Sequence, residues 1–174
     1  MDNGIILIDK PTGISSFDAI SKVKRHFNIS KIGHSGTLDP FASGLLVACI
    51  NKSTKISNLI QELQKKYIAK IKFGFSTYTD DYTGELLEKS EVNADLSNIA
   101  VVVNSFIGEI EQKPPAYSAL KINGKRSYKI ARNIKESDDL VTFSDSIKPR
   151  KVNIYDIKIV SINEENQELI IEVT

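Results

Sequence analysis

Residues 33–46 read GHSGTLDPFASGLL, and within them the chain changes from a glycine-rich turn to an apolar run. Three glycines, three hydroxyl residues, one histidine and one proline surround a single carboxylate, Asp39. Gly33, Gly36 and Gly44 permit tight backbone geometry, and Pro40 biases Asp39 toward an extended conformation. The tail GLLVACI, residues 44–50, reads as a buried strand. A loop of this composition ahead of a core strand is where a rigid scaffold presents a side chain for chemistry.

Upstream, GIILIDK (residues 4–10) reads as a short buried strand and PTGISS as a turn. Ser15 stands three residues before Asp18, close to a capping box, and Phe17, Ile20, Val23 and Phe27 follow at helical spacing. The pattern predicts a helix from about Ser16 to His26. Downstream, Ile56, Leu59, Ile60 and Leu63 predict one apolar face of a helix over about Thr54 to Gln64. YIAKIKFGF, opened by Tyr67, is strand-like, and the acidic STYTDDYTGELLEK reads as a mobile loop or hairpin.

Asp95 to Phe106 predicts a helix capped by Asp95, with Leu96, Ile99, Val102 and Phe106 inward. Pro114 and Pro115 keep EIEQKPPAYSALKING extended, and KRSYKIARNIK suits a short basic helix. VNIYDIKIVSI and ELIIEVT read as paired strands joined by NEENQ. Strands and helices mix without regular βαβ alternation, so the expected class is α+β, a mixed or antiparallel sheet flanked by helices. ELIIEVT ends the sequence at a good strand, which suggests that residues 1–174 are a domain truncated at its C-terminus.

The 174 residues, 41% hydrophobic and 26% charged, suit one globular domain with a real core. Cys49 is the sole cysteine, which excludes an intramolecular disulfide and fits a reducing compartment as a small buried residue. The N-terminus lacks signal-peptide character, and no run approaches the ~20 apolar residues of a membrane helix, so a soluble, cytoplasmic protein is expected. A net charge of +1 argues against a strongly basic nucleic-acid binder. Charge is nevertheless segregated. No acid lies between Asp18 and Asp39, nor between Glu111 and Glu136, where Lys113, Lys121, Lys125, Arg126, Lys129, Arg132 and Lys135 gather. Such stretches either build a positive face or are ordinary solvated surface.

An unperturbed aspartate has a pKa of about 3.9, so Asp39 is ionised at neutral pH and competent as nucleophile or base. The same carboxylate would equally serve a turn by capping nearby N–H groups. The glycine spacing fits neither GxxxxGK[ST] nor GxGxxG. Two histidines, His26 and His34, without clustered carboxylates make a poor metal site, and no metal is expected.

Three stretches, in this order, carry a resemblance: DKPTGISS (residues 9–16), GHSGTLDPFASGLL, and QKPPAYSALKINGKRSYKIAR (residues 112–132). Together they resemble the bacterial tRNA pseudouridine synthase B family over nearly the whole chain. The resemblance implies a pseudouridine-synthase-like catalytic domain in which Asp39 is the catalytic residue. It implies that His34 contacts the extruded uridine and that Tyr67 stacks on the target base, a contact worth roughly 1–3 kcal/mol. Lys10 and Pro11 would support the catalytic loop, together with Gly33 beside His34, and Lys125 and Arg126 would contact RNA.

The implied reaction isomerises uridine to pseudouridine at position 55 in the T loop of tRNA. It breaks a C–N glycosidic bond and rejoins the base through carbon without net redox change, so no cofactor is expected. Attack by Asp39 at uracil C6, attack at ribose C1′ and assistance to a glycal route all remain open. The implied partner is the tRNA T arm, with no membrane, metal or obligate protein partner. The family pattern continues with a C-[ST]-x-G-T-Y-[IV]-R segment, whose arginine pairs with the catalytic aspartate, and with a small RNA-binding domain. Neither occurs in these residues, so weak or absent activity is expected of the 174-residue chain alone. The alternatives are a non-catalytic tRNA-binding or folding module, a guide-RNA-dependent pseudouridine synthase acting on ribosomal RNA, and an unrelated aspartate-nucleophile hydrolase that lacks a companion acid.

Overall fold

The computed structural model describes residues 2–90, 93–118, 120–134 and 137–174. Ala119 of the PPAYSALK stretch and Lys135 of the basic stretch lie outside the described residues. The chain divides into two compact units, Met1–Gln64 and Lys65–Thr174, and each is described by itself.

The first unit opens with strand β1 (Gly4–Lys10), helix α1 (Ser16–His26), and strands β2 (Ile32–His34) and β3 (Gly44–Ile50). They form an antiparallel sheet in the order β1-β3-β2. Period-2 alternation sends Ile6, Ile8 and Lys10 to one face of β1 and Ile5, Leu7 and Asp9 to the other. Only the first face is covered. Ile6 and Ile8 pack with Leu46 and Ala48 of β3 and with Ala19 and Ile20 of α1, a leucine or isoleucine contributing about 1.5–3 kcal/mol when fully buried. Ile5 and Leu7 are exposed, so GIILIDK is buried on one side and not on both as its composition suggested.

Helix α1 starts where the sequence predicts. Ser15 accepts from the Asp18 amide at 3.1 Å, and the Asp18 carboxylate accepts from the Ser15 backbone, a complete capping box. The buried face shares Ile20 with the predicted one, and Val23 is half-buried, but its centre is shifted. Ser16, Ala19 and Ile20 are inside, whereas Phe17 and Phe27 are exposed. Small side chains at 16 and 19 admit close packing that two phenylalanines would prevent.

The predicted helix over 54–64 is shorter and two-part: a 3-10 turn (Asn51–Ile56) leads into α2 (Ser57–Gln61). Leu59 and Leu63, assigned above to its apolar face, are exposed.

The second unit holds β4 (Tyr67–Lys72), β5 (Phe75–Thr77), β6 (Leu86–Lys89), α3 (Ile99–Asn104), β7 (Gly108–Gln112), β8 (Lys121–Ile122) and β9 (Lys125–Arg126). Helices α4 (Ser127–Ala131) and α5 (Ser137–Ser146) follow, then β10 (Arg150–Ile154), β11 (Ile157–Asn163) and β12 (Glu168–Val173). The acidic stretch resolves as the β5–β6 hairpin, whose turn is tied by Asp81 accepting from the Thr83 amide at 2.8 Å and from the Thr79 hydroxyl at 2.9 Å. Strand ELIIEV is the centre of a sheet ordered β11-β12-β4. Its lysine–glutamate pairs, Lys66–Glu172 and Lys70–Glu168, each measure 2.9 Å.

VNIYDIKIVSI is two strands, since β10 pairs with β7 and only β11 pairs with β12. Helix α3 begins at Ile99, not at Asp95, whose carboxylate accepts instead from the Ser97 amide at 2.9 Å. Its buried residue is Val103, while Val102 and Phe106 stay exposed. Helix α5 has no counterpart in the sequence reading. Its Leu140 and Phe143 join Ala116, Ala131 and Ile147 in the core of this unit.

Candidate active site

Asp39 lies in the loop between β2 and β3, and the backbone on either side of it is fastened. On the N-terminal side, the Ser16 hydroxyl donates to the Leu38 carbonyl at 2.9 Å and accepts from the Leu38 amide at 2.9 Å. The Leu38 side chain packs on the α1–β3 core. On the C-terminal side, the Pro40 carbonyl accepts from the Gly13 amide at 2.7 Å and from Lys10 Nζ at 3.5 Å. The Asp39 carbonyl closes a turn by accepting from the Ala42 amide at 3.1 Å. The Asp39 side chain itself is exposed, and no hydrogen bond or ion pair joins its carboxylate to any described residue. The turn reading, in which this carboxylate caps neighbouring amides, therefore does not hold.

Lys10 is fully buried at the end of β1. Its amino group donates to the Pro11 and Ile14 carbonyls at 2.9 Å each, in addition to Pro40. A buried lysine is tolerated only where its donors are met, and here three main-chain oxygens converge on it. It thereby links the PTGIS turn to the Asp39 loop. Pro11 is exposed and takes part through its carbonyl alone. Gly36 and Gly44, at φ of 147° and 123°, hold conformations that glycine adopts most readily at the loop's two ends.

Gly33 and His34, assigned by sequence to the loop, lie on β2. That three-residue strand shows no alternation, and it is held through pairing with β3, Gly33 opposite Cys49 and His34 opposite Ala48. Ile6, Ala48 and His34 thus form one row across the sheet, with Lys10 four residues further along β1. Nδ1 of His34 is buried without a hydrogen-bond partner among the described residues. Cys49 is buried, and burial pushes its thiol pKa up, which makes a thiolate nucleophile at this position unfavourable.

The other predicted site residues belong to the second unit. Tyr67 opens β4 opposite Val173 and is half-exposed. Lys125 and Arg126 form β9 and are exposed, at the start of a basic segment that includes Lys129 and Arg132. Arg132 lies over the Tyr128 ring at 5.4 Å. Ser127, fully buried, donates to the Ala116 carbonyl and so ties this segment to the PPAYS stretch. Among the described residues, no group of three or more His, Cys, Asp or Glu could hold a metal ion, and no helix is long and apolar enough to cross a membrane.

Sequence reasoning missed Ser16. The signal was available in the second hydroxyl of GISS, directly after the capping serine, where one hydroxyl suffices for the cap.

The family model described as TruB family pseudouridylate synthase (N terminal domain) matches residues 24–174. This chain belongs to the TruB family. Among curated TruB-family relatives, tRNA pseudouridine synthase B of Borreliella afzelii (strain PKo) is 41% identical over 161 residues, which is 92% of this chain and 54% of that protein. Its counterpart from Borrelia garinii subsp. bavariensis (strain ATCC BAA-2496 / DSM 23469 / PBi) is 38% identical over 174 residues, all of this chain and 59% of that protein. A solved structure described as a Cbf5-Nop10-Gar1 complex superimposes with a TM-score of 0.65 at 25% identity, covering 98% of this chain and 38% of that one. The TruB-family chain described here therefore spans about half the length of the curated relatives it matches. The expected α+β class with antiparallel pairing is the observed one.

Proposed function

We propose that this TruB-family chain carries the catalytic aspartate of an enzyme that isomerises uridine to pseudouridine in the T loop of tRNA. The observation that supports it most is Asp39: an exposed carboxylate with no described partner, on backbone fastened immediately before and after it. In the proposed reaction the C1′–N1 bond breaks, a C1′–C5 bond forms, and the C5 hydrogen is lost as a proton while N1 gains one. The Asp39 carboxylate supplies the nucleophile, at uracil C6 or ribose C1′, or else assists a glycal route. The target uridine must leave its stack to reach a carboxylate on a protein surface, and the family resemblance gives the stacking role to Tyr67. Lys125 and Arg126 hold phosphates in a salt-dependent manner.

A tRNA substrate, met in the cytoplasm, is favoured over guide-directed ribosomal RNA. Relatives named tRNA pseudouridine synthase B are 38–45% identical to this chain, against 25% for the Cbf5 structure. The test uses the full product of the reading frame that carries this sequence and a tRNA transcript tritiated at uracil C5. Wild type is expected to release label, and Asp39→Asn to bind the transcript normally without releasing it. Unchanged release would remove Asp39 from the mechanism. Binding by wild type with no release would make the protein a tRNA-binding module.

A further inference from the structure

We infer that Ser16 is a positioning residue for Asp39, an inference that rests on the catalytic reading of that aspartate. Ser16 is the first residue of α1 and is 2% exposed. Its hydroxyl does not cap the helix, because Ser15 does so. Instead the one oxygen both donates to the carbonyl and accepts from the amide of Leu38, at 2.9 Å each way and 22 residues away in sequence. A hydroxyl can meet both demands at once because it carries one donor and two lone pairs. Both main-chain groups of the residue before Asp39 are thereby closed on a single buried atom. The Leu38 side chain is packed into the core as well.

The carboxylate has no partner of its own among the described residues, so its direction is inherited from the backbone. The C-terminal fastening, from Gly13 and Lys10 to the Pro40 carbonyl, leaves the other side of Asp39 free to swing unless Ser16 holds it. A misplacement of about 1 Å costs roughly a hundredfold in rate when reacting atoms must be aligned, without weakening contacts made elsewhere on a large substrate. Ser16 therefore sets the chemical step and not tRNA affinity.

The test compares Ser16→Ala with Ser15→Ala in the full product of the reading frame, by single-turnover tritium release and by tRNA binding. Both variants remove a hydroxyl from the start of the same helix, and both lower the melting temperature. Ser16→Ala is expected to slow the chemical step roughly ten- to a hundredfold with tRNA Kd within about twofold of wild type. Ser15→Ala is expected to keep the wild-type rate. Equal slowing by the two variants, or a wild-type rate in Ser16→Ala, overturns the inference. Retention of activity by Asp39→Asn overturns the catalytic reading instead, so the two failures are separable. A readout that needs no variant is amide hydrogen exchange at Leu38 in the unaltered chain. Strong protection is expected there, and exchange at the rate of a free loop amide would refute the clamp even if Ser16→Ala failed to fold.

Discussion

Lys10 Nζ and the carbonyl oxygen of Pro40 lie 3.5 Å apart although 30 residues separate them in sequence. The contact joins the end of the first strand to the residue after Asp39, and it exists because the inward alternation of GIILIDK delivers a lysine to a closed space. Replacing Lys10 with methionine keeps the length of the side chain and removes its donors. The Pro11 and Ile14 carbonyls then lose the partner that lies 2.9 Å from each. Lys10→Met is expected to lower the unfolding free energy by about 1–3 kcal/mol, read from the urea midpoint at constant slope. An unchanged midpoint would mean that water replaces the amino group without loss.

The cap of α1 makes a separate prediction with a pH signature. Ser15→Ala is expected to cost about 0.5–2 kcal/mol of stability. The Ser15 hydroxyl hydrogen bond, at 2.6 Å, holds the Asp18 carboxyl below the usual carboxylate range. A depressed folded pKa adds stability that is fully present above the unfolded value of about 3.9 and is lost as pH falls through the folded value. Wild type and Ser15→Ala should therefore differ by a constant amount from neutral pH down to the ordinary carboxylate range, and the gap should narrow in more acid solution to what the amide cap alone contributes. Carbon-13 titration of the Asp18 carboxyl should show it moving up in the variant. A titration identical to wild type would remove Ser15 as the cause.

In the second unit, Ser127 donates to the Ala116 carbonyl at 2.5 Å from a fully buried position. Ser127→Ala leaves that carbonyl without this partner and is expected to destabilise by about 1–3 kcal/mol. The same variant should loosen the stretch between Pro114 and Ser118, visible as faster amide exchange at Ala116 and Tyr117. Destabilisation without local exchange would argue for a packing defect alone.

Lys125 tests the proposed RNA contact. Lys125→Ala is expected to weaken binding to tRNA transcripts of any sequence and to reduce the slope of log affinity against log salt by about 1. Binding curves at several salt concentrations decide it. An unaltered slope would place Lys125 off the RNA.

Where a stretch of sequence carries its own structural cause, the reading and the structure agree. Ser15 and Asp18 satisfy each other across one helical turn, so the start of α1 was legible without any tertiary knowledge. GIILIDK and GLLVACI are too apolar and too short for helices, and they pair in register from Gly4 opposite Ile50 to Lys10 opposite Gly44. The hairpin in STYTDDYTGELLEK follows from Asp81, Thr83 and Gly84. At the candidate site, the glycine-rich loop with its one carboxylate was legible in composition, a role for Asp39 was implied only by the resemblance of three ordered motifs, and that resemblance agrees with the family match.

Burial and distant pairing were not legible, since they depend on which surface arrives opposite. Composition alone could not place Lys10 inside, because a lysine is buried only when three carbonyls from two loops converge on it. Nor could it put His34 on a strand, because β2 has no alternation and exists only through β3. Val103 replaces Val102 as the inward residue of α3, a choice between adjacent valines on one short helix that periodicity leaves open, and Phe106 lies beyond its end. The chain by itself determined the cap of α1, the paired apolar strands β1 and β3, and a glycine-rich loop that carries one carboxylate, Asp39. The tertiary structure alone decided how that carboxylate's backbone is held, because the holding atoms are Ser16, Gly13 and Lys10, remote in sequence and joined to it only by hydrogen bonds that form on folding.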